Sequence, residues 1–488
     1  MLRDVVLYAL NYHKPHSMNS IYTLTSAFTL TLLTLSAGIL AQTAEPLDSY
    51  TAAEINYLAS FFQIPSTIYT AEYAVDAYRV TYDMPYLDST ISVSGALFVP
   101  QGVDSLCSLP VMTYMHGTVF ERTDAPSFLP LEGRLGFLMS SPGFIVLMPD
   151  YVGLGTSQLM HPYVHAQSEA DAGVYLIQAA EALGVELDYS FNGEFFSSGY
   201  SQGGHASMAL SRELETNWAD TYPLTASAPL SGPYDISGTQ FPETFESPSY
   251  SNPAYLAYNV IGWNSYYGTL YDDLSEIFQE PYATGLPGMF NGETSGQAIN
   301  TYLPFLLADL LQPGLVDSIM ADPNHPFNVA AQDNDVYEWV PQSPMKMYYC
   351  TEDEQVFYNN AIIAEEWMTA NGALNVTTSD GGPFNHSDCA GPAIFGGMIW
   401  MQGYHVECIP DNILEIDETV WSITPNPVVN GTTTLRGLPT NVTWNLRDIS
   451  GRLLTNGMGA EVDFTGLPEG IYFIQTNGWG TKKVLLHF

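Results

Sequence analysis

Gly199-Tyr200-Ser201-Gln202-Gly203 sets a serine between two glycines at the spacing of a tight strand-to-helix turn. The flanks fit such an elbow. Phe195 to Ser198 is short and β-like, and Ser201 to Glu215 reads as a helix. Glycines at 199 and 203 let the strand and helix pass close together while Ser201 takes a costly backbone conformation. Its hydroxyl then stands at a helix N-terminus, where free N–H groups and the helix dipole favour developing negative charge.

A serine hydroxyl is a weak nucleophile at neutral pH, and needs a base within reach and a third group to orient that base. On an elbow of this type the acid and then the histidine follow the serine in the chain. His13 and His16 precede the folded region, His487 lies at the far end, and His116, His161, His165 and His205 come before or too close to Ser201. His325, His386 and His405 remain. His386 is favoured, because it sits on the glycine-rich stretch Gly381-Gly-Pro-Phe-Asn-His386 after a strand and before a helix expected from Pro392. For the acid, the apolar run Met345 to Cys350 enters the turn Glu352-Asp353-Glu354. Asp353 is the expected orienter, with Glu352 and Glu354 as rivals. The oxyanion needs main-chain donors, one from Gln202 and one from Thr118 or Gly117 in His116-Gly117-Thr118, with His116 as a neighbour of the site and not its base. Cys350 and Cys389 each lie three residues from a proposed triad member, so a disulfide between them could tie the acid loop to the histidine loop.

These residues need a sheet to hold them. Ala77–Tyr82 and Ser89–Val99 read as strands, the second alternating as an antiparallel edge does, and Leu109–Met115 and Phe144–Met148 as buried parallel strands. Residues 50–72 form a helical lead-in. Ser168-Glu-Ala-Asp171 resembles a capping box opening a helix to Leu183, and Thr225–Leu230, Met345–Cys350 and Leu374–Thr378 continue the strands. Alternating strands and helices predict an α/β fold with a doubly wound, mostly parallel sheet. Residues 235–340 break the rhythm, with helical patterns over Pro253–Tyr266, Leu270–Phe278, Ser295–Leu311 and Asn328–Trp339, and predict a helical cap over the strand ends. Its aromatics Tyr255, Tyr258, Trp263, Tyr266 and Tyr267 either line an acyl pocket or pack the cap.

The chain has 488 residues with 12 Lys+Arg against 52 Asp+Glu, a formal net charge of −40. Such a surface repels nucleic acid and anionic lipid. Ile21 to Leu40 is apolar and hydroxyl-rich and predicts a secretory signal peptide over 1–42; a membrane anchor is the alternative, and either Met1 or Met18 is the start. Four cysteines suit pairing in an oxidising compartment, and their spacing is not that of a zinc site. The catalytic domain is expected over 43–415. Over 416–488, five short β-like runs separated by turns predict a small all-β sandwich.

Taken together, His116-Gly117-Thr118, Pro149-Asp150-Tyr151-Val-Gly153-Leu-Gly155, His161-Pro162-Tyr163, Gly199 to Gly204, Asp353-Glu354-Gln-Val356 and His386-Ser-Asp-Cys389 make residues 75–410 resemble an α/β-hydrolase of the secretory lipase type. The resemblance implies hydrolysis of carboxylic esters through an acyl-enzyme at Ser201, with no metal or other cofactor. No single long amphipathic lid helix is evident, which argues against oil-interface lipase action. Pro425-Asn426-Pro427, Gly451-Arg452, Gly470-Ile-Tyr472 and Lys482-Lys483-Val make the tail resemble the sorting domain of the type IX secretion system. That implies partnership with the secretion machinery and an extracellular or surface location; a carbohydrate-binding module is the alternative for this domain. Two rival functions stay open, a peptidase on the same fold and a surface binding or adhesion protein without activity.

Overall fold

The computed structural model describes residues 42–408 and 421–487, apart from 430, 450 and 477–479. The expected signal peptide therefore lies outside the described residues, save for Gln42, and so does most of the join between catalytic domain and tail.

One nine-stranded sheet organises residues 42–380, in the order β1-β2-β3-β5-β4-β6-β7-β8-β9. The strands are β1 (Gln42–Tyr50), β2 (Ala74–Tyr86), β3 (Ser89–Gln101), β4 (Leu109–Met115), β5 (Ile145–Pro149), β6 (Phe191–Tyr200), β7 (Leu224–Leu230), β8 (Met345–Tyr349) and β9 (Val376–Asp380). The first three and the β3·β5 contact are antiparallel, and every pairing from β5 through β9 is parallel. β4 and β5 are buried at every position, as strands covered on both faces must be. β1 departs from the expectation, which placed no strand there. Its mixed sequence QTAEPLDSY pairs with β2 along its length, and Leu47 and Tyr50 pack on the core beneath, Tyr50 stacked on Phe137 at 4.2 Å.

Thirteen α-helices are present among the described residues. In the catalytic layers these are α1 (Ala52–Phe61), α2 (Leu135–Ser140), α3 (Ala166–Leu183) and α4 (Gln202–Asn217), then α12 (Asn359–Ala370) and α13 (His386–Gln402). Between β7 and β8 lie the cap helices α5 (Phe241–Glu246), α6 (Pro253–Tyr267), α7 (Tyr282–Gly285), α8 (Gly296–Tyr302), α9 (Leu307–Leu310), α10 (Leu315–Ala321) and α11 (Pro326–Asp333). Period-two alternation sends neighbouring residues to opposite layers. Phe98, Met112 and Phe196 pack with Leu135, Ala393 and Met398, whereas Leu97, Val111 and Phe195 pack with Leu176, Ile177 and Leu210. The cap is shorter-grained than expected: only α6 matches its sequence pattern closely, Leu270–Phe278 holds one 3-10 turn, and Ser295–Leu311 is split into α8 and α9. It has its own core, built around Trp263, Phe278 and Leu310.

Two helix starts differ from expectation. α3 begins at Ala166, capped by the His165 ring, which accepts the Ser168 N–H; Ser168 is not a cap and Glu169 is buried. α13 begins at His386 itself, capped by Asn385, and carries Pro392 inside it at the loss of one main-chain hydrogen bond. The tail forms two small antiparallel sheets, β10 (Ser422–Thr424), β11 (Thr432–Arg436) and β14 (Glu461–Asp463) in one, β12 (Thr443–Asp448), β13 (Leu453–Met458), β15 (Gly470–Thr476) and β16 (Gly480–Leu486) in the other. Trp421, Leu446, Phe464 and Ile474 fill the space between them, giving the expected sandwich.

Candidate active site

At the carboxyl end of β6 the chain turns through Ser201 at φ 62° and ψ −120°, a backbone conformation that disfavours any residue with a Cβ. Neighbouring glycines make the turn possible. A Cβ on Gly199 would lie 2.2 Å from the Gly203 carbonyl oxygen, and one on Gly203 only 1.9 Å from that of Met115. β4, β6 and α4 thus meet almost backbone to backbone, and α4 starts directly beneath the serine.

Ser201 Oγ lies 2.8 Å from His386 Nε2, and His386 Nδ1 lies 2.7 Å from Asp353 Oδ2. The carboxylate fixes the tautomer: with the Nδ1 proton directed at Asp353, Nε2 presents its lone pair to the serine hydroxyl. Asp353 is itself held, its Oδ1 accepting the N–H groups of Gln355 and Val356 at 3.0 and 2.9 Å. The His386 main chain is anchored at both polar groups, its N–H donating to Glu354 Oε2 at 3.1 Å and its carbonyl accepting the Tyr200 hydroxyl at 2.5 Å. Of the three acidic candidates, then, Asp353 faces the ring and Glu354 the backbone. The other two histidines serve elsewhere. His325 caps α11, and His405 Nδ1 pairs with Glu194 at 2.6 Å.

Cys350 and Cys389 are joined, and Cys107 is joined to Cys408. The first bridge ties the end of β8, three residues before Asp353, to the first turn of α13, three residues after His386. Replacing both cysteines by serine is expected to lower stability by about 4 kcal/mol through a loop of 39 residues. Any turnover at Ser201 should fall more steeply with temperature in that variant than in the parent, because the Asp353 and His386 loops lose their shared tether. Denaturant unfolding beside rate measurements at two temperatures checks this, and parallel temperature profiles would refute it.

The donors for an oxyanion are unequal. Gln202 is the first residue of α4, so its main-chain N–H has no partner within the helix. Gly117 N–H donates to Glu132 Oε1 at 3.0 Å and is not free, which corrects its place among the candidates and leaves Thr118. His116 is buried, stacked on Tyr151 at 4.2 Å, with its nitrogens against the carbonyls of Gly117 and Asp150; burial pushes its pKa down to about 4. The Pro149–Gly155 motif is architectural. Asp150 accepts the hydroxyls of Ser94 and Ser127 at 2.5 Å each and the Ser127 N–H at 2.9 Å, while a Cβ at Gly155 would lie 2.1 Å from its carboxylate.

One space is walled by the serine itself, and a second, larger one shares Tyr255 with it. A chamber of about 40 Å³ is walled by Ser201, Gln202, Tyr163, Phe241, Tyr250 and Val356. A cleft of about 720 Å³ runs from Thr118 past Phe120, Asn252, Tyr255, Asn300 and Phe305. Of the cap aromatics, Tyr255 lines both, while Tyr258 and Trp263 are buried in the cap core. The sequence reading missed Glu169, which reaches both Gln202 and His205. The available signal was a glutamate on the apolar face of α3, in line with Ala172, Leu176 and Ala180.

No group of three or more His, Cys, Asp or Glu side chains among the described residues is arranged to hold a metal ion. The sheet order, the elbow and the cap between β7 and β8 define the α/β-hydrolase fold. Among solved structures the chain is similar to the rice cell wall degrading esterase LipA of Xanthomonas oryzae, at 27% identity and a TM-score of 0.66, over 74% of this chain and 96% of that one. A Legionella pneumophila protein (24%, TM-score 0.69, 76% and 99% covered) and Candida antarctica lipase A in its closed state (14%, TM-score 0.53, 75% and 84% covered) share the fold. No protein-family model matches the sequence, and no curated protein matches it.

Proposed function

We propose that the protein is an exported carboxylic ester hydrolase acting through Ser201, His386 and Asp353. The observation that carries this reading is the unbroken hydrogen-bond chain from Ser201 Oγ through the His386 ring to Asp353 at the ends of the parallel strands. The similarity to an esterase over nearly all of that enzyme's length supports it. Ser201 Oγ attacks the ester carbonyl as its proton passes to His386 Nε2, and Asp353 stabilises the imidazolium. The N–H groups of Gln202 and Thr118 receive the negative charge of the tetrahedral oxygen. Collapse expels the alcohol, protonated by His386, and leaves the acyl group on Ser201. Water, deprotonated by the same ring, then attacks that acyl carbon and releases the acid.

The acyl group stays bonded to Ser201 while the alcohol must depart, so the chamber suits the acyl chain and the open cleft the alcohol. A chamber of 40 Å³ has room for about two to four water-sized groups, hence a short acyl chain. The cleft, with its amide side chains and aromatic rings, accommodates a bulky hydroxyl-bearing alcohol, including one carried by a polysaccharide. On p-nitrophenyl esters from acetate to palmitate, kcat/KM is expected to peak between acetate and butyrate and to fall at least about tenfold by octanoate. A folded protein that cleaves none of the series would overturn the reading, and a palmitate optimum would overturn the acyl assignment.

Export is part of the proposal. The leader, two disulfides and the sandwich with its type IX-like motifs support passage through an oxidising compartment and outer-membrane secretion. No helix among the described residues is long and apolar enough to cross a membrane. Fusing residues 416–488 to a periplasmic reporter in a type IX-competent cell tests the tail, with the reporter in the medium or on the cell surface as the expected result.

A further inference from the structure

The tripeptide His161-Pro162-Tyr163 and the buried Glu169 take no part in the triad, yet their side chains reach those of Gln202 and Thr118, the two residues proposed above as main-chain donors to the oxyanion. The Gln202 side chain is 1% exposed, and its Nε2 lies 2.8 Å from Glu169 Oε1 and 2.8 Å from His161 Nε2. Both amide hydrogens are thereby engaged. His161 is suited to accept one, because its Nδ1–H donates to the Val152 carbonyl at 2.7 Å and burial pushes its pKa down to about 3, keeping the ring neutral. One turn further along α4, His205 Nδ1 lies 2.7 Å from Glu169 Oε2 and its Nε2 2.9 Å from the Asn334 carbonyl. Each nitrogen faces an oxygen acceptor.

On the other side the Tyr163 hydroxyl lies 2.8 Å from Thr118 Oγ1. The segment that carries His161 and Tyr163 is clamped by the cap. Asn259 donates to the Tyr163 carbonyl at 3.2 Å and Trp263 to that of Val164 at 3.2 Å, and a Cβ on Gly262 would lie 2.6 Å from the His161 carbonyl oxygen. The first turn of a helix has no internal partners for its N–H groups, so their direction depends on what holds its side chains. Oxyanion donors act only if they are aimed before the charge forms.

We propose that Glu169, His161 and Tyr163 form a brace that sets the direction of the Gln202 and Thr118 N–H groups, with Glu169 its central positioning residue. The inference rests on the ester-hydrolase reading.

The test uses the full chain, with p-nitrophenyl butyrate as substrate and an arylboronic acid as a tetrahedral, oxyanion-bearing inhibitor. Glu169→Leu is expected to lower kcat about 30-fold with KM within about threefold, and to raise the boronate Ki by the factor lost in kcat. Glu169→Gln is expected to recover kcat to within about fivefold of the parent, since its carboxamide oxygen can accept from Gln202 and its nitrogen can donate towards His205 Nδ1. Tyr163→Phe, which keeps the ring stacked on Tyr258 at 4.7 Å, is expected to cost about fivefold in kcat and in boronate affinity. If Glu169→Leu does not fold, Tyr163→Phe decides alone. Unchanged kcat and boronate affinity in the folded variants would overturn the brace, as would a loss confined to KM. A parent protein inactive on every ester would instead overturn the function on which the brace rests.

Discussion

Ser201→Gly is expected to abolish ester hydrolysis and to make the protein more stable. Loss of the hydroxyl removes the nucleophile, and turnover should fall by about 10⁶, as when a triad serine is lost. The stability gain has a separate cause. Ser201 sits at φ 62°, where a Cβ is strained by about 1–3 kcal/mol and glycine is not. Glycine returns part of that gain through its freer unfolded chain, which leaves about 1 kcal/mol. Ser201→Ala separates the two effects, since it loses the activity but keeps the Cβ and therefore the strain. Urea unfolding of the three proteins beside their rates on p-nitrophenyl butyrate is the measurement. A glycine variant less stable than the alanine variant would mean that the elbow stores no strain, and appreciable turnover in either would remove Ser201 from the mechanism.

Gly203→Ala carries the second large effect. One added methyl would lie 1.9 Å from the Met115 carbonyl oxygen and 2.8 Å from that of His116, and backbone cannot swing away as a side chain can. α4 must back off from β4, at an expected cost of more than about 3 kcal/mol, towards the top of the overpacking range. The displaced groups are the start of α4, with Gln202, and the end of β4, which leads into Gly117 and Thr118. Any folded fraction should therefore have lost most of its turnover as well. Gly193→Ala is the contrasting case, with nothing within 4 Å of the added carbon and only its positive φ to penalise it. Comparable melting temperatures for the parent and the Gly203 variant would refute the packing argument.

Much of this architecture is legible in the sequence because its signals are local. The elbow is five contiguous residues, the buried strands are apolar runs, and the histidine and acid follow the serine in chain order. What escapes is what depends on distant partners. β1 has no run of apolar residues or period-two alternation to announce it, and its strand conformation follows from pairing with β2. The start of α13 is hidden because Pro392 is an ordinary stop signal, overruled here by the packing of Ala393, Ile394 and Met398 on the sheet. Gly117 looks like an oxyanion donor until Glu132 is seen accepting its N–H. Glu169 is the largest omission: its partners Gln202 and His205 lie 33 and 36 residues away, and no local pattern connects them.

The bridge between Cys107 and Cys408 bears on how the chain transmits load. The polypeptide leaves the catalytic domain through α13, whose first residue is His386, and passes residue 408 on its way to the sandwich. Tension carried along the main chain from the tail, by a translocating machine or an anchored surface, reaches Cys408 before it reaches α13. There it is diverted into the Cys107 loop and the root of β4, in the middle of the sheet. The catalytic histidine proposed here thus stands on the slack side of a covalent strain relief, and the enzyme can be pulled by its tail without its base being pulled from its acid.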